Sequence, residues 1–148
     1  MKKIFLLFIF LFSSIAQSEQ LMMLVTEAEM LASNNAYPKF VAKSLPDKDA
    51  PVIQVLTPKN GSSVTSPTPV EIKFQPAEAS TVKPETFRVL YGTFQIDITK
   101  KILSVTKVTP EGVTVQAANL PSGKHKMTLN IEDNQGRLGS QFIEFEVK

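Results

Sequence analysis

Leu120-Pro-Ser-Gly-Lys-His-Lys-Met-Thr-Leu-Asn-Ile-Glu-Asp-Asn-Gln-Gly-Arg137 is the most regular stretch of the sequence. It runs turn, strand, turn. Pro121-Ser122-Gly123 and Asp133-Asn134-Gln135-Gly136 are turn signals. Between them His125, Met127, Leu129 and Ile131 alternate with Lys126, Thr128, Asn130 and Glu132. Period two places the first set on one face of a strand and the second set on the other. The stretch is therefore predicted to be a half-buried strand of an antiparallel sheet.

The same grammar repeats from Pro51 to the C-terminus, with turn punctuation about every 8–12 residues, the spacing of a β-sandwich. Val52–Leu56 is a first strand. In Val70–Gln75, Val70, Ile72 and Phe74 are predicted inward. After a long loop, Pro76–Glu85, Thr86–Tyr91 places Phe87, Val89 and Tyr91 on one face. Gly92-Thr93 then leads to Phe94–Thr99, expected to pair with it as a hairpin with Phe94, Ile96 and Ile98 inward. Ile102–Val108 reads as an edge or irregular strand, its lysines serving as edge protection. Val113–Ala117 alternates with Val113, Val115 and Ala117 inward, and Gln141–Val147 does so with Ile143, Phe145 and Val147 inward. Seven or eight strands are expected, with no helical periodicity and so no parallel, crossover-built sheet.

Upstream, Met1-Lys-Lys, the apolar run Ile4–Phe12 and the small residues around Ser13–Ser18 have the layout of a secretory signal peptide, residues 1–18, with cleavage expected after Ala16 or Ser18. The run is short of the roughly 20 residues a spanning helix needs. Residues 19–50 are expected to hold a short helix and a linker. Thr26-Glu-Ala-Glu29 fits a capping box opening a helix from Glu27 to about Ser33. Either that helix packs loosely, or Leu21–Val25 with Met30 and Leu31 docks on a partner or a membrane surface. Tyr37 to Pro51 reads as linker.

Composition narrows the chemistry. The 148 residues suit one domain plus a leader. No cysteine is present, so disulfides, thiolate metal sites and cysteine nucleophiles are out. Net charge is +2; without Lys2 and Lys3 the basic residues fall from 16 to 14, equal to the 14 acidic ones. Such a neutral chain lacks the basic footprint of a nucleic-acid binder.

Val52-Ile-Gln-Val-Leu-Thr-Pro58 with Asn60-Gly-Ser-Ser-Val64 and Ser66-Pro67 resembles the opening strand and loop of bacterial immunoglobulin-like modules. Leu120-Pro-Ser-Gly-Lys-His125 with Leu129-Asn-Ile-Glu-Asp-Asn-Gln-Gly136 resembles their penultimate strand and closing turn. The similarity covers roughly residues 50–148, with the domain placed at 51–148. It implies an all-β, two-sheet Greek-key sandwich and adhesive, binding or spacer roles in exported proteins. The cysteine pair and core tryptophan of antibody-type domains are missing.

Catalysis has few candidates. His125, the lone histidine, lies in the apolar register and reads as structural; a hydrolase would have to use it as its base. Asp133–Gly136 lacks the alternating carboxylates of a calcium loop and reads as a hairpin turn. Asn60-Gly-Ser62 reads as turn chemistry rather than a glycan acceptor, and Asp97 has no sequence neighbour with which to form an acid–base pair. No enzyme activity, cofactor or metal is expected. Arg88 and Leu90, opposite Phe87 and Val89, and Phe142, opposite Ile143 and Phe145, could share an outer patch; Met23 marks a second candidate contact. The expected function is binding of an envelope protein or other macromolecule, in the periplasm or cell envelope of a bacterium or in secreted form. The alternatives are carbohydrate binding through Tyr37, Tyr91 and Phe142, and membrane-surface association through residues 21–31.

Overall fold

The central strand forms as β8, Gly123–Asp133, with His125, Met127, Leu129, Ile131 and Asp133 all buried. The computed structural model describes residues 23–36 and 48–148. The signal-peptide reading of residues 1–18 and most of the linker reading fall outside these residues. Around β8 lie β1 (Val52–Thr57), β2 (Ser63–Val64), β3 (Thr68–Gln75), β4 (Val82–Tyr91), β5 (Ile96–Asp97), β6 (Val108–Thr109), β7 (Gly112–Ala118) and β9 (Leu138–Val147). One sheet has the order β1-β3-β7-β6 and the other β2-β9-β8-β4-β5. Disregarding β2 and β5, which extend the second sheet at its two margins, this is the strand order of the immunoglobulin sandwich. The fold is an all-β sandwich.

The strands follow from alternation wherever one face is buried. Ile72 and Phe74 of β3, Val113 and Val115 of β7, and Ile143, Phe145 and Val147 of β9 all point into the core. Phe74 from one sheet meets Phe87 from the other at a ring-centroid distance of 5.6 Å. Aromatic contact between the sheets thus stands where a disulfide and tryptophan would otherwise pin such a sandwich.

Four readings need correction. Phe94 is 52% exposed, because residues 92–95 form a turn rather than a strand. Gln95 takes positive φ there (54°) and donates its side-chain amide to the Gly92 carbonyl. Pairing is limited to Leu90–Asp97 and Tyr91–Ile96. Next, Thr99–Leu103 is a short helix, α2, which buries Ile102, with Ile98 buried at its N-cap. Their spacing of four puts both on one helical face, so the expected strand over 102–108 shrinks to β6. Third, β4 begins at Val82, inside the expected loop, and pairs at once with Asp133 and Glu132. Last, a register shift between Thr68 and Val70 turns Ala117 outward and Ala118 inward. Counting the two-residue strands, there are nine described strands rather than seven or eight.

The N-terminal helix forms as α1, Glu27–Asn34, with both halves of the capping box: Glu29 N donates to Thr26 Oγ1 (3.2 Å) and Thr26 N to Glu29 Oε2 (2.8 Å). It is neither loosely packed nor available as a whole to a partner. Leu24, Val25 and Met30 are buried in the sandwich's own core. Leu24 N donates to Asn119 O (3.1 Å), and Lys101 of α2 holds both Glu29 carboxylate oxygens at 2.8 Å. Ser33 is bonded twice to Thr93, accepting from its amide and, through its own carbonyl, from its hydroxyl, each at 3.0 Å. The sandwich makes room at two glycines. A Cβ at Gly92 (φ 69°) would overlap the Ser33 hydroxyl, and one at Gly123 (φ 136°) would lie 2.8 Å from Met30 Sδ. Gly92 and Gly123 permit both the backbone conformation and the close approach.

Beyond β5 the margin of β4 has no neighbouring strand among the described residues, and its carbonyls are protected individually. Val89 bonds on that side to Thr99 Oγ1 and Ile98 N, so Phe87, two residues before it, points the same way. The Arg88 guanidinium folds back along the strand, donating to Phe87 O (2.8 Å) and Glu85 O (3.1 Å). This is edge protection by charge. Arg88→Ala should therefore move the melting temperature little but produce concentration-dependent association by light scattering. A variant that stays monodisperse at millimolar concentration would count against this role.

Candidate functional site

The outer face of the five-stranded sheet carries the candidate surface. Register places Leu90 of β4, Thr128 of β8 and Phe142 of β9 in one row. Leu90 and Phe142 flank Thr128 about two strand spacings apart, roughly 10 Å. The next row is Arg88, Asn130 and Ser140, and on the other side Lys126 faces Glu144 and Lys124 faces Glu146. Opposite charges placed directly across strands support the sheet and frame an apolar row. Phe142 is 49% exposed. The sequence-predicted residues Arg88, Leu90 and Phe142 therefore do share one face, although the Arg88 guanidinium is turned along its own strand. Met23 is not part of it. It bridges to Asn119 after β7 and is exposed beside the start of α1. The framing residues Lys126 and Glu144 were missed because only the strand register shows that they meet.

His125 is fully buried and both ring nitrogens are engaged. Nε2 lies 2.8 Å from Pro121 O, which can only accept, so Nε2 carries the proton. In the neutral ring Nδ1 then accepts from the Tyr91 hydroxyl at 2.8 Å. The ring stacks on Phe145 with centroids 5.4 Å apart. Burial depresses its basicity, partly offset by the Pro121 carbonyl. Tyr91 is 1% exposed, so it offers no platform for a sugar, and burial together with the nearby Glu29 raises its phenol well above the ordinary value. Tyr37 lies outside the described residues.

Asp133 closes β8 as the hub of the β8–β9 hairpin. Its Oδ1 accepts from the amides of Gln135 and Arg137 (2.9 Å each), and its Oδ2 from Arg137 Nε (2.7 Å), with Arg137 Nη2 also 2.7 Å away. All its acceptor capacity is thereby directed inward, to a turn rather than an ion. Among the described residues no cluster of three or more His, Asp or Glu could hold a metal. A hollow of about 420 Å³ opens beside Lys73, Phe74, Pro76, Val82, Pro110 and Glu111.

Three carboxyl groups sit below their ordinary values. At Asp133 burial pushes the value up, but the Arg137 amide and guanidinium and the Gln135 amide outweigh it. Glu29 is lowered first by Lys101 and then by the Thr26 amide, and Asp97 by the Thr99 side chain and amide. Each is ionised in the fold where the unfolded chain would hold a proton. Their stabilisation is complete above ordinary values of 3.8 to 4.5 and is lost as pH falls through the lower folded values. Urea midpoints should accordingly drop steeply below about pH 4.5. Asp133→Asn should flatten that drop, and an unchanged acid limb would refute the assignment.

No protein-family model matches the chain, and no curated protein does. Among solved structures, CopC from Methylosinus trichosporium OB3b aligns over 66% of this chain and 93% of its own, with 16% identity and a TM-score of 0.47. The endo-β-1,4-mannanase from Thermotoga petrophila aligns over 69% of this chain at 15% identity and a TM-score of 0.47; the matched part is 20% of that enzyme. An engineered protein aligns over 70% of this chain and 21% of its own, at 14% identity and a TM-score of 0.45. These likenesses say nothing of what this chain binds, and the sandwich is established by its own two sheets. Among the described residues no helix is long and apolar enough to cross a membrane.

Proposed function

We propose that the chain is an exported, non-enzymatic immunoglobulin-like module that binds an envelope protein across the outer face of its five-stranded sheet. The observation that carries this reading is the row Leu90–Thr128–Phe142, whose two apolar side chains, with Phe142 half exposed, lie among Arg88, Asn130, Lys126 and Glu144 of the same face. Apolar and aromatic anchors inside a polar rim are the usual anatomy of a binding patch. Export is supported by the layout of residues 1–18, and the absence of catalysis by a lone histidine whose two nitrogens are already bonded. Leu90→Ser combined with Phe142→Ser should leave the melting temperature within about 3 °C, since both side chains are outward. It should weaken retention of the co-purifying envelope partner at least tenfold, as expected of a truncated anchor pair. Unchanged retention would refute the surface.

Carbohydrate binding is the second reading, favoured by the exposure of Phe94 as well as Phe142. The two aromatics lie on different elements, the turn after β4 and strand β9. Calorimetry against cell-wall and exopolysaccharide fragments separates the readings: heat that disappears in Phe94→Ala supports sugar binding, and no heat with any fragment removes it.

A further inference from the structure

α1 rests on the backbone that carries the Tyr91–His125 pair. Ser33 packs on Gly92, immediately after Tyr91. Met30 packs on Gly123, and Asn34 Nδ2 donates to Lys124 O (3.3 Å), the residue before His125. The Pro121 carbonyl that His125 holds belongs to the same corner as Asn119, which anchors Leu24. From these contacts we infer that α1 is an acid-sensitive latch, kept shut by the neutral Tyr91–His125–Pro121 hydrogen-bond chain beneath it.

The groups facing the pair come from several elements. α1 contributes Glu29, with Glu27 exposed, and α2 contributes Lys101, tied to Glu29, with Lys100 exposed. β9 contributes the apolar ring of Phe145, its Glu144 and Glu146 lying on the outer face with Lys124 and Lys126 of β8 and Arg88 of β4. No carboxylate is hydrogen-bonded to the ring. A second ring proton would point Nδ1–H at the Tyr91 oxygen and force the phenol proton to find another acceptor inside the core. Releasing α1 and the 119–123 corner admits water to the imidazole without parting the two sheets. It also uncovers Leu24, Val25 and Met30. Sub-global opening of this kind is common at the ends of domains.

Linkage gives the sign. In the open state His125 takes a proton at its ordinary value near 6.5, whereas in the closed state burial keeps it neutral at lower pH. The opening constant should rise by up to tenfold per pH unit as pH falls below about 6.5. Glu29, held below its ordinary value, does not yet titrate there.

The test is amide hydrogen exchange by NMR between about pH 6.5 and 5, corrected for the intrinsic pH dependence of exchange. The α1 amides should be at least a hundredfold less protected than those of β8 and β9, and should lose roughly tenfold in protection per pH unit. His125→Gln can still donate to Pro121 O and accept from Tyr91 without titrating, and should abolish that slope. Three results overturn the latch: α1 protection independent of pH in the native chain, α1 and sheet amides of equal protection, or a slope that survives His125→Gln. If that variant fails to fold, the native slope and the gap in protection decide the matter by themselves.

Discussion

A chain lacking residues 23–36 should fold to a much less stable sandwich. The deletion takes Leu24, Val25 and Met30 out of the core and leaves the apolar surface around Gly92, Gly123 and Leu120 open to water. At about 1.5–3 kcal/mol for each buried side chain, the loss is roughly 4–9 kcal/mol, as large as the whole stability of many domains. It also strands Lys101 without Glu29, a half-exposed pair worth little beside the apolar loss. Circular dichroism should show a cooperative transition more than 15 °C below that of the intact protein. A cooperative melt within a few degrees would mean that α1 is an ornament on the sandwich rather than part of it. α1 has eight residues, too few to hold a helix in water unaided. The helix needs the sandwich to form, and the sandwich loses much of its stability without the helix.

His125→Ala should cost about 4 kcal/mol, through a cavity beside Phe145 and the unpaired Tyr91 hydroxyl and Pro121 carbonyl. By contrast, His125→Gln should cost about 1 kcal/mol, because both hydrogen bonds can be remade. Urea unfolding of the two variants at pH 7.5 measures the contrast. Equal, small losses would show that the bonds contribute nothing. If instead the alanine variant keeps its stability while a hydrolytic activity of the native chain disappears, the structural assignment of His125 is wrong.

Much of the sandwich is legible in residue order because a strand with one buried face writes its environment every second residue. β3, β8 and β9 announce themselves in this way, and Asp133–Gly136 announces the hairpin that joins the last two. The region from Phe94 to Val105 misleads for a physical reason. Phe94, Ile96 and Ile98 alternate as a strand would, but Gly92 and Gln95 take left-handed φ and bend the chain. Ile98 and Ile102 then satisfy a helix by their spacing of four. A short apolar run is compatible with either period, and tertiary packing chooses. Ala117 is misplaced for a related reason: a single register shift exchanges inside and outside.

The docking of α1 is the least legible feature. Its capping box is local and can be read directly. Its seat is made by Gly92, Thr93, Lys101, Asn119 and Gly123, residues far along the chain whose relation to Met30 and Ser33 exists only once both sheets have formed. A glycine flanked by strand residues was the available signal, since it marks close backbone approach as often as a turn. The candidate surface stands between these cases. That Leu90 and Phe142 face outward follows from alternation, but that Thr128 alone separates them requires the β4–β8 and β8–β9 registers.

Whether a partner meets that row is most directly measured by photo-crosslinking in the native envelope, with a probe placed in turn at Leu90, at Phe142, at Met23 and at the outward Thr114 of the opposite sheet. The Leu90 and Phe142 probes should each yield the same discrete adduct with one envelope protein, and the Thr114 and Met23 probes none. An adduct confined to Met23 or Thr114, or no adduct at Leu90 and Phe142, would contradict the binding surface proposed for this sandwich.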